Sequence, residues 1–156
     1  MFLIYLAISA VLVAIDQWTK YLVVQNITIG GTKELWPGIV SLTHLQNSGA
    51  AWSLLEGKMI FFAIVTTIAL VAMIYFLVIY GKNSIWFSLG LSLMIAGALG
   101  NFIDRMRLGY VVDMIRLDFF NFPIFNVADM CLTVGVAVVF IFILRIDDDF
   151  FKRGKK

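Results

Sequence analysis

Asp113 and Asp129 are the residues in this chain best suited to do chemistry. Each has an apolar approach, Val111-Val112 before the first and Val127-Ala128 before the second, and no basic residue lies within one turn of Asp129. Two carboxylates brought together cannot both ionise cheaply, so one keeps a proton while the other carries charge. The charged member can take a proton from a bridging water that attacks a peptide carbonyl. The neutral member can hydrogen-bond the carbonyl oxygen and help protonate the leaving amine. Asn101, Arg105 and Asn126 are the available donors for the oxyanion. Asn101, Asp104 and Arg105 are spaced i, i+3, i+4 and share a face if a helix reaches them, and Asn126 and Asp129 are likewise i, i+3.

Plainer roles compete with these. Asp104 and Arg105 could be interfacial charges at a helix end, with Arg105 pairing to Asp104 or another carboxylate, and Asp129 could be a helix N-cap. Two aspartates at one membrane face weigh towards function, because a central Asp costs about 2.5–3.5 kcal/mol on insertion scales. Other chemistries are poorly served. HExxH is absent and His44 is the single histidine, so no metal site is expected. His44 reads as a surface or interfacial residue at a strand end. Cys131 has no basic neighbour and reads as a small packing residue; being the single cysteine, it excludes an internal disulfide. Ser48 or Ser53 with Lys58 could form a nucleophile pair, but nothing in their spacing singles them out.

The elements that must position these groups are dictated by lipid. Of 156 residues, 62% are hydrophobic and 14% charged, with a net charge of +2 and a mean hydropathy of +0.96. Soluble domains are about half apolar and a quarter charged. The composition excludes a disordered chain and a basic nucleic-acid binder. A span needs about 20 mostly apolar residues. Met59–Tyr80 and the uncharged run between Lys82 and Asp104 qualify, and Gly81-Lys82-Asn83-Ser84 joins them as a hairpin. Phe2–Val24 reads as a helix carrying Asp16 and Lys20 near its far end; no basic n-region or A-x-A site supports a cleaved leader. The last apolar run, Met130–Leu144, reaches span length only by including Asn126 and Asp129.

The reading is one polytopic membrane domain over 1–156, mainly α, with helices near 2–24, 59–80, 84–103 and 126–146 and external segments near 25–58 and 104–125. Basic residues divide evenly between the two sides, but the short inner segments hold them more densely, which places both termini in the cytoplasm. Trp18, Trp36 and Trp52 then fall near the outer interface and Trp86 near the inner one. In the larger external segment, Gly30-Gly31 and Trp36-Pro37-Gly38 signal turns, and Val40–Thr43 alternates like a strand. Ser92, Ala96 and Gly100 make a small-residue stripe suited to close helix packing.

Five segments together resemble an ordered motif set: Asp16-Gln17-x-x-Lys20, Asn47-x-Gly49-Ala50-Ala51, Gly100-Asn101-x-x-Asp104-Arg105, Val111-Val112-Asp113 and Phe125-Asn126-x-Ala128-Asp129. Each is weak alone; in this order on four spans they are similar to bacterial lipoprotein signal peptidase, the signal peptidase II family. The resemblance covers residues 16–135, with Trp52 standing where the motif often has Phe. It implies an aspartic endopeptidase of the bacterial inner membrane that cuts diacylglyceryl-modified prolipoproteins just before the lipidated Cys, with its active site near the extracytoplasmic face. It implies Asp113 and Asp129 as the catalytic pair, with Asn101, Asp104, Arg105, Asn126, Asp16, Lys20 and Asn47 in support. It further implies four transmembrane helices, an external β-cradle with a short amphipathic surface helix, contact with membrane lipids and inhibition by globomycin-type peptides. No cofactor is expected, and a monomer is. The rivals are a small proton-coupled transporter subunit, with the two aspartates as proton carriers, and a structural subunit glued by polar groups. A transporter should show internal repeats or broken helices, and no repeat is visible.

Overall fold

Backbone amides within hydrocarbon must be satisfied by their own segment, which favours helices. The computed structural model describes residues 2–49 and 59–145. Among them are α1 (Phe2–Asn26), α2 (Met59–Tyr80), α3 (Ile85–Leu108) and α4 (Val127–Leu144), each long and apolar enough to cross a membrane. α3 is the central helix, with 61% of its apolar window buried against 11–17% for the others. The outward faces of α1, α2 and α4 carry exposed Ile, Val, Leu and Phe, as lipid requires.

The α2–α3 hairpin forms as expected. Gly81 N–H donates to Leu77 O and Asn83 N–H to Tyr80 O, and Ser84 caps α3 by accepting from Phe87 N–H. α3 runs to Leu108, five residues past the expected end. Gly109 stops it in the left-handed conformation (φ 80°), its N–H returning to Arg105 O at 3.2 Å. Asp104 and Arg105 therefore lie on the helix. The small-residue stripe packs as read: Ser9 Oγ of α1 donates to Ser92 O at 2.9 Å, and Ala96 and Gly100 are buried. A second small face, Gly90 and Gly97, lets α4 approach. A Cβ on Gly97 would collide with the Ala128 carbonyl oxygen and stand 2.7 Å from Leu132 Cγ.

At the end of the bundle away from Phe2 and Leu144 lies an antiparallel sheet, ordered β1 (Thr32–Trp36), β2 (Val40–Asn47), β3 (Val111–Leu117). Both turn signals are realised: Ile39 N–H donates to Trp36 O across Pro37-Gly38, with Gly38 at φ 71°, and Gly31 N–H donates to Thr28 O with Gly30 at φ 75°. β2 extends the expected strand to Asn47, and β1 and β3 are additions. Between Leu42 and Leu45 the β2–β3 register shifts, so Thr43 and His44 together face Met114. This bulge turns two consecutive side chains inward, and His44 is buried (4% exposed) rather than at the surface. Met114 packs with Val23 and Ile27, seating the sheet on the end of α1. Trp18 and Trp86 are exposed on their helices and Trp36 on β1. The short surface helix is not among the elements of the described residues. Trp52, Ser53, Lys58 and the basic tail after Arg145 lie outside them.

Candidate active site

The site is built on a buried ion cluster. Lys20 Nζ on α1 reaches Asp16 Oδ2 and Asp104 Oδ2, both at 2.9 Å, and donates to Asn101 Oδ1 at 3.0 Å, so its three protons have three acceptors. All four side chains are buried. Asp16 Oδ1 accepts from Ala128 N–H in the first turn of α4 at 2.8 Å, and Asp104 Oδ2 accepts from Val112 N–H of β3 at 3.1 Å. The cluster thus fastens α1, α3, α4 and β3 at one depth. Gly100 is required where Asp16 lies, since a Cβ there would stand 2.7 Å from Asp16 Oδ2.

Asp113 on β3 and Asp129 on α4 meet across Asn126, the N-cap of α4. Asn126 Nδ2 donates to Asp113 Oδ1 at 2.7 Å, and its backbone N–H donates to Asp129 Oδ2 at 3.1 Å. Asp129 N–H returns to Asn126 Oδ1 at 2.9 Å, closing a capping box in which Asp129 is the third helical residue. Asp129 thus does cap the helix, though not from the N-cap position considered above. Its other oxygen accepts from Asn101 Nδ2 at 2.7 Å, and Asp113 Oδ2 accepts from Asn47 Nδ2 of β2 at 2.8 Å. Burial pushes the Asp113 carboxyl up to about 6; the Asn47 hydrogen bond opposes this and the Asp129 charge adds to it.

Both carboxylates line a cavity of about 840 Å3, walled by Leu45, Val111, Phe122, Phe125, Met130 and Val134. A second, largely apolar cavity of about 680 Å3 runs between α2, α3 and α4 past Ala69, Met73, Leu132 and Val139. Asn101, Arg105 and Asp129 line both, so the two spaces adjoin at these side chains. Arg105 stands at this junction. Its guanidinium lies 4.7 Å from the Phe62 ring centroid and donates to Gly49 O at 3.2 Å. Among the described residues its buried Nε has no partner.

All nine residues singled out in the sequence converge here, with changes in detail. Asp104 pairs with Lys20 and not with Arg105, because adjacent helical residues point apart. Asn126 Nδ2 is committed to Asp113, Asn101 and Val112 O, and Asn101 Nδ2 binds Asp129, so both amides hold the carboxylates. Among the described residues Arg105 keeps a buried donor, Nε, that no protein acceptor uses. Gln17, quoted only within a motif, donates to Asp104 Oδ1 at 2.8 Å and to Gly100 O at 3.2 Å; a polar side chain amid apolar helix was its signal. Phe62 carried none. Cys131 is buried as a packing residue. Among the described residues no group of three or more His, Cys, Asp or Glu side chains is placed to hold a metal.

The fold and site define a multi-pass membrane protein with paired, amide-held carboxylates at one end of its bundle. The sequence model for signal peptidase (SPase) II matches residues 8–145, and the chain belongs to that family. It is similar to the lipoprotein signal peptidase of Enterococcus faecalis, with 62% identity over 97% of this chain and 94% of the relative. To that of Lactiplantibacillus plantarum it is 56% identical, over 96% and 99%. A bacterial membrane enzyme solved by the in meso method at 2.3 Å resolution matches with a TM-score of 0.87 at 42% identity, covering 90% of this chain and 87% of that one. The chain is therefore a membrane peptidase, and nothing in these likenesses supports a transporter.

Proposed function

We propose that this chain is an aspartic endopeptidase that removes signal peptides from diacylglyceryl-modified prolipoproteins, cleaving on the N-terminal side of the lipidated Cys. One observation carries the reading: Asn126 binds both carboxylates at the wall of one largely apolar cavity. One aspartate, ionised, takes a proton from a water lying between the pair as its oxygen attacks the scissile carbonyl. The other, protonated, hydrogen-bonds the developing oxyanion, assisted by Arg105. Collapse of the tetrahedral intermediate returns a proton to the leaving amine, which becomes the free amino group of the lipidated Cys. A carboxyl that titrates near 6 changes state close to neutral pH, as such catalysis needs. Asn101, Asn126 and Asn47 orient the pair, and Asp16, Lys20 and Asp104 hold the frame behind it.

The lipid gives the site its substrate class. Each buried CH2 contributes about 0.8 kcal/mol, so acyl chains in the bilayer hold the scissile bond at the depth of the pair, and this remote binding energy positions the carbonyl. The sheet end then faces the outside of a bacterial cell membrane, with both termini cytoplasmic. Globomycin-type peptides would compete for the same cavity. The test is cleavage of a lipidated prolipoprotein by purified enzyme. Asp113→Asn and Asp129→Asn should each abolish turnover, and a Cys→Ser, unlipidated substrate should be cut far more slowly. Turnover retained by either variant refutes the pair, and equal rates on both substrates refute lipid-directed positioning.

A further inference from the structure

We propose that His44 is a positioning residue, which fastens β2 to the end of α1 and thereby sets Asn47 against Asp113. This rests on the catalytic reading of Asp113. His44 makes three bonds to the turn that leaves α1: its Nδ1–H donates to Ile27 O at 2.8 Å, its N–H donates to Gly31 O at 3.1 Å, and its O accepts from Gly30 N–H at 2.8 Å. A carbonyl can only accept, so the ring proton sits on Nδ1. Its buried Nε2 has no partner among the described residues, so among them the ring's one hydrogen bond is that to Ile27 O.

The consequence lies in register. Val40, Ser41 and Leu42 face Leu117, Arg116 and Ile115. In unbroken register Gln46 would face Val111, diagonal to Asp113 on its side of the sheet. The bulge at Thr43-His44 advances β2 by one residue, so Asn47 faces Val111 instead and reaches Asp113 Oδ2 at 2.8 Å. A slip would present Gln46, one methylene longer, in place of Asn47. His44 is the bulge residue tied to α1, the helix that also carries Lys20 and Asp16, so it couples the strand to the frame of the site. Lys20, Arg105 and Asp129 are the charged groups whose fields bear on Asp113 or are felt beside it, and they lie on α1, α3 and α4 rather than on β2.

The test uses the full chain in detergent with a lipidated prolipoprotein. The variants are Asn47→Ala, His44→Leu, His44→Asn and the double Asn47→Ala/His44→Leu. Losing a hydrogen bond to a carboxylate should move the pH limb that reports Asp113 upward by about one pH unit in Asn47→Ala. His44→Leu should move the same limb in the same direction and lower kcat about tenfold more than it changes KM. The double variant should be no worse than Asn47→Ala alone. His44→Asn, whose Nδ2 stands close to the Nδ1 position, should restore the wild-type limb. An unmoved limb in His44→Leu or in Asn47→Ala, or additive losses in the double variant, overturns the inference. If His44→Leu fails to fold, His44→Gln, with its donor one bond too far, is read by the same criteria. Cleavage retained by Asp113→Asn would instead refute the catalytic reading beneath it.

Discussion

Asp113 should leave a signature in stability as well as in turnover. The folded chain holds its proton up to about pH 6, whereas the ordinary carboxyl value is 3.8. Between those values the folded state binds more protons than the unfolded one, so this group makes stability fall as pH rises. Its contribution is fully present below about pH 4 and is lost as pH passes 6. Roughly two pH units at about 1.4 kcal/mol each amount to about 3 kcal/mol. Asp113→Asn cannot titrate. Its amide mismatches one of the two donors, Asn47 or Asn126, but that penalty is the same at every pH. The stability of the variant relative to wild type should therefore rise by about 3 kcal/mol between pH 4 and pH 7. At about 2–4 °C per kcal/mol for a chain of this size, the two melting curves in detergent should shift relative to each other by about 6–12 °C. Part of the slope belongs to the pair, since the Asp129 charge contributes to it. Parallel curves for Asp113→Asn and wild type would refute the argument that burial retains the proton.

Lys20→Met should leave Asp16 and Asp104 buried without their cation and cost about 3–5 kcal/mol, read as a lower melting temperature in detergent; an unchanged melt contradicts the cluster. Gly97→Ala should push α4 away from α3 beside Ala128 and lose both stability and turnover, whereas Gly38→Asn in the β1–β2 turn, with nothing near its Cβ and a φ that Asn tolerates, should keep both. Equal melts and rates for the two would show that the close helix contact is not needed. Arg105→Lys keeps the charge but loses the guanidinium seated over the Phe62 ring, and kcat/KM should fall about tenfold; wild-type kinetics would remove Arg105 from the oxyanion role.

The spans were legible because lipid imposes its demand on composition residue by residue, and the Gly81–Ser84 hairpin is punctuated locally. The end of α3 was not, because the uncharged run stops at Asp104, which marks the end of the apolar stretch and not of the helix. Its charge is balanced by Lys20, more than eighty residues earlier, and no local pattern announces that pairing. β3 escaped for a similar reason. Val111–Leu117 is a strand through its register with β2, and the register is set by a bulge that alternation conceals. The same bulge hid His44, whose place inside follows from Met114 opposite it. The two aspartates, Asn101 and Asn126 stood out in the sequence because polar groups amid apolar neighbours are costly enough to need a reason, whereas Asn47 entered only through the motif resemblance. Which amide serves which carboxylate was not, being a property of side-chain directions.

The ion cluster has a consequence for how the enzyme is made. Asp16 and Lys20 sit one turn apart on α1 and pair within that helix, so their mutual neutralisation needs no other span. An isolated ionised side chain on a spanning helix is costly to insert, so travelling as a pair eases the entry of α1. The bond from Ala128 N–H to Asp16 joins residues 112 apart, and Asp129 lies on the same α4. A nascent or stalled chain with three spans in the bilayer holds Asp113 without its counterpart, and Asp16 without its α4 partner. Docking of α4 against α1 through Ala128 and Asp16 also brings Asp129 beside Asp113, so closing the bundle and forming the carboxylate pair are one event.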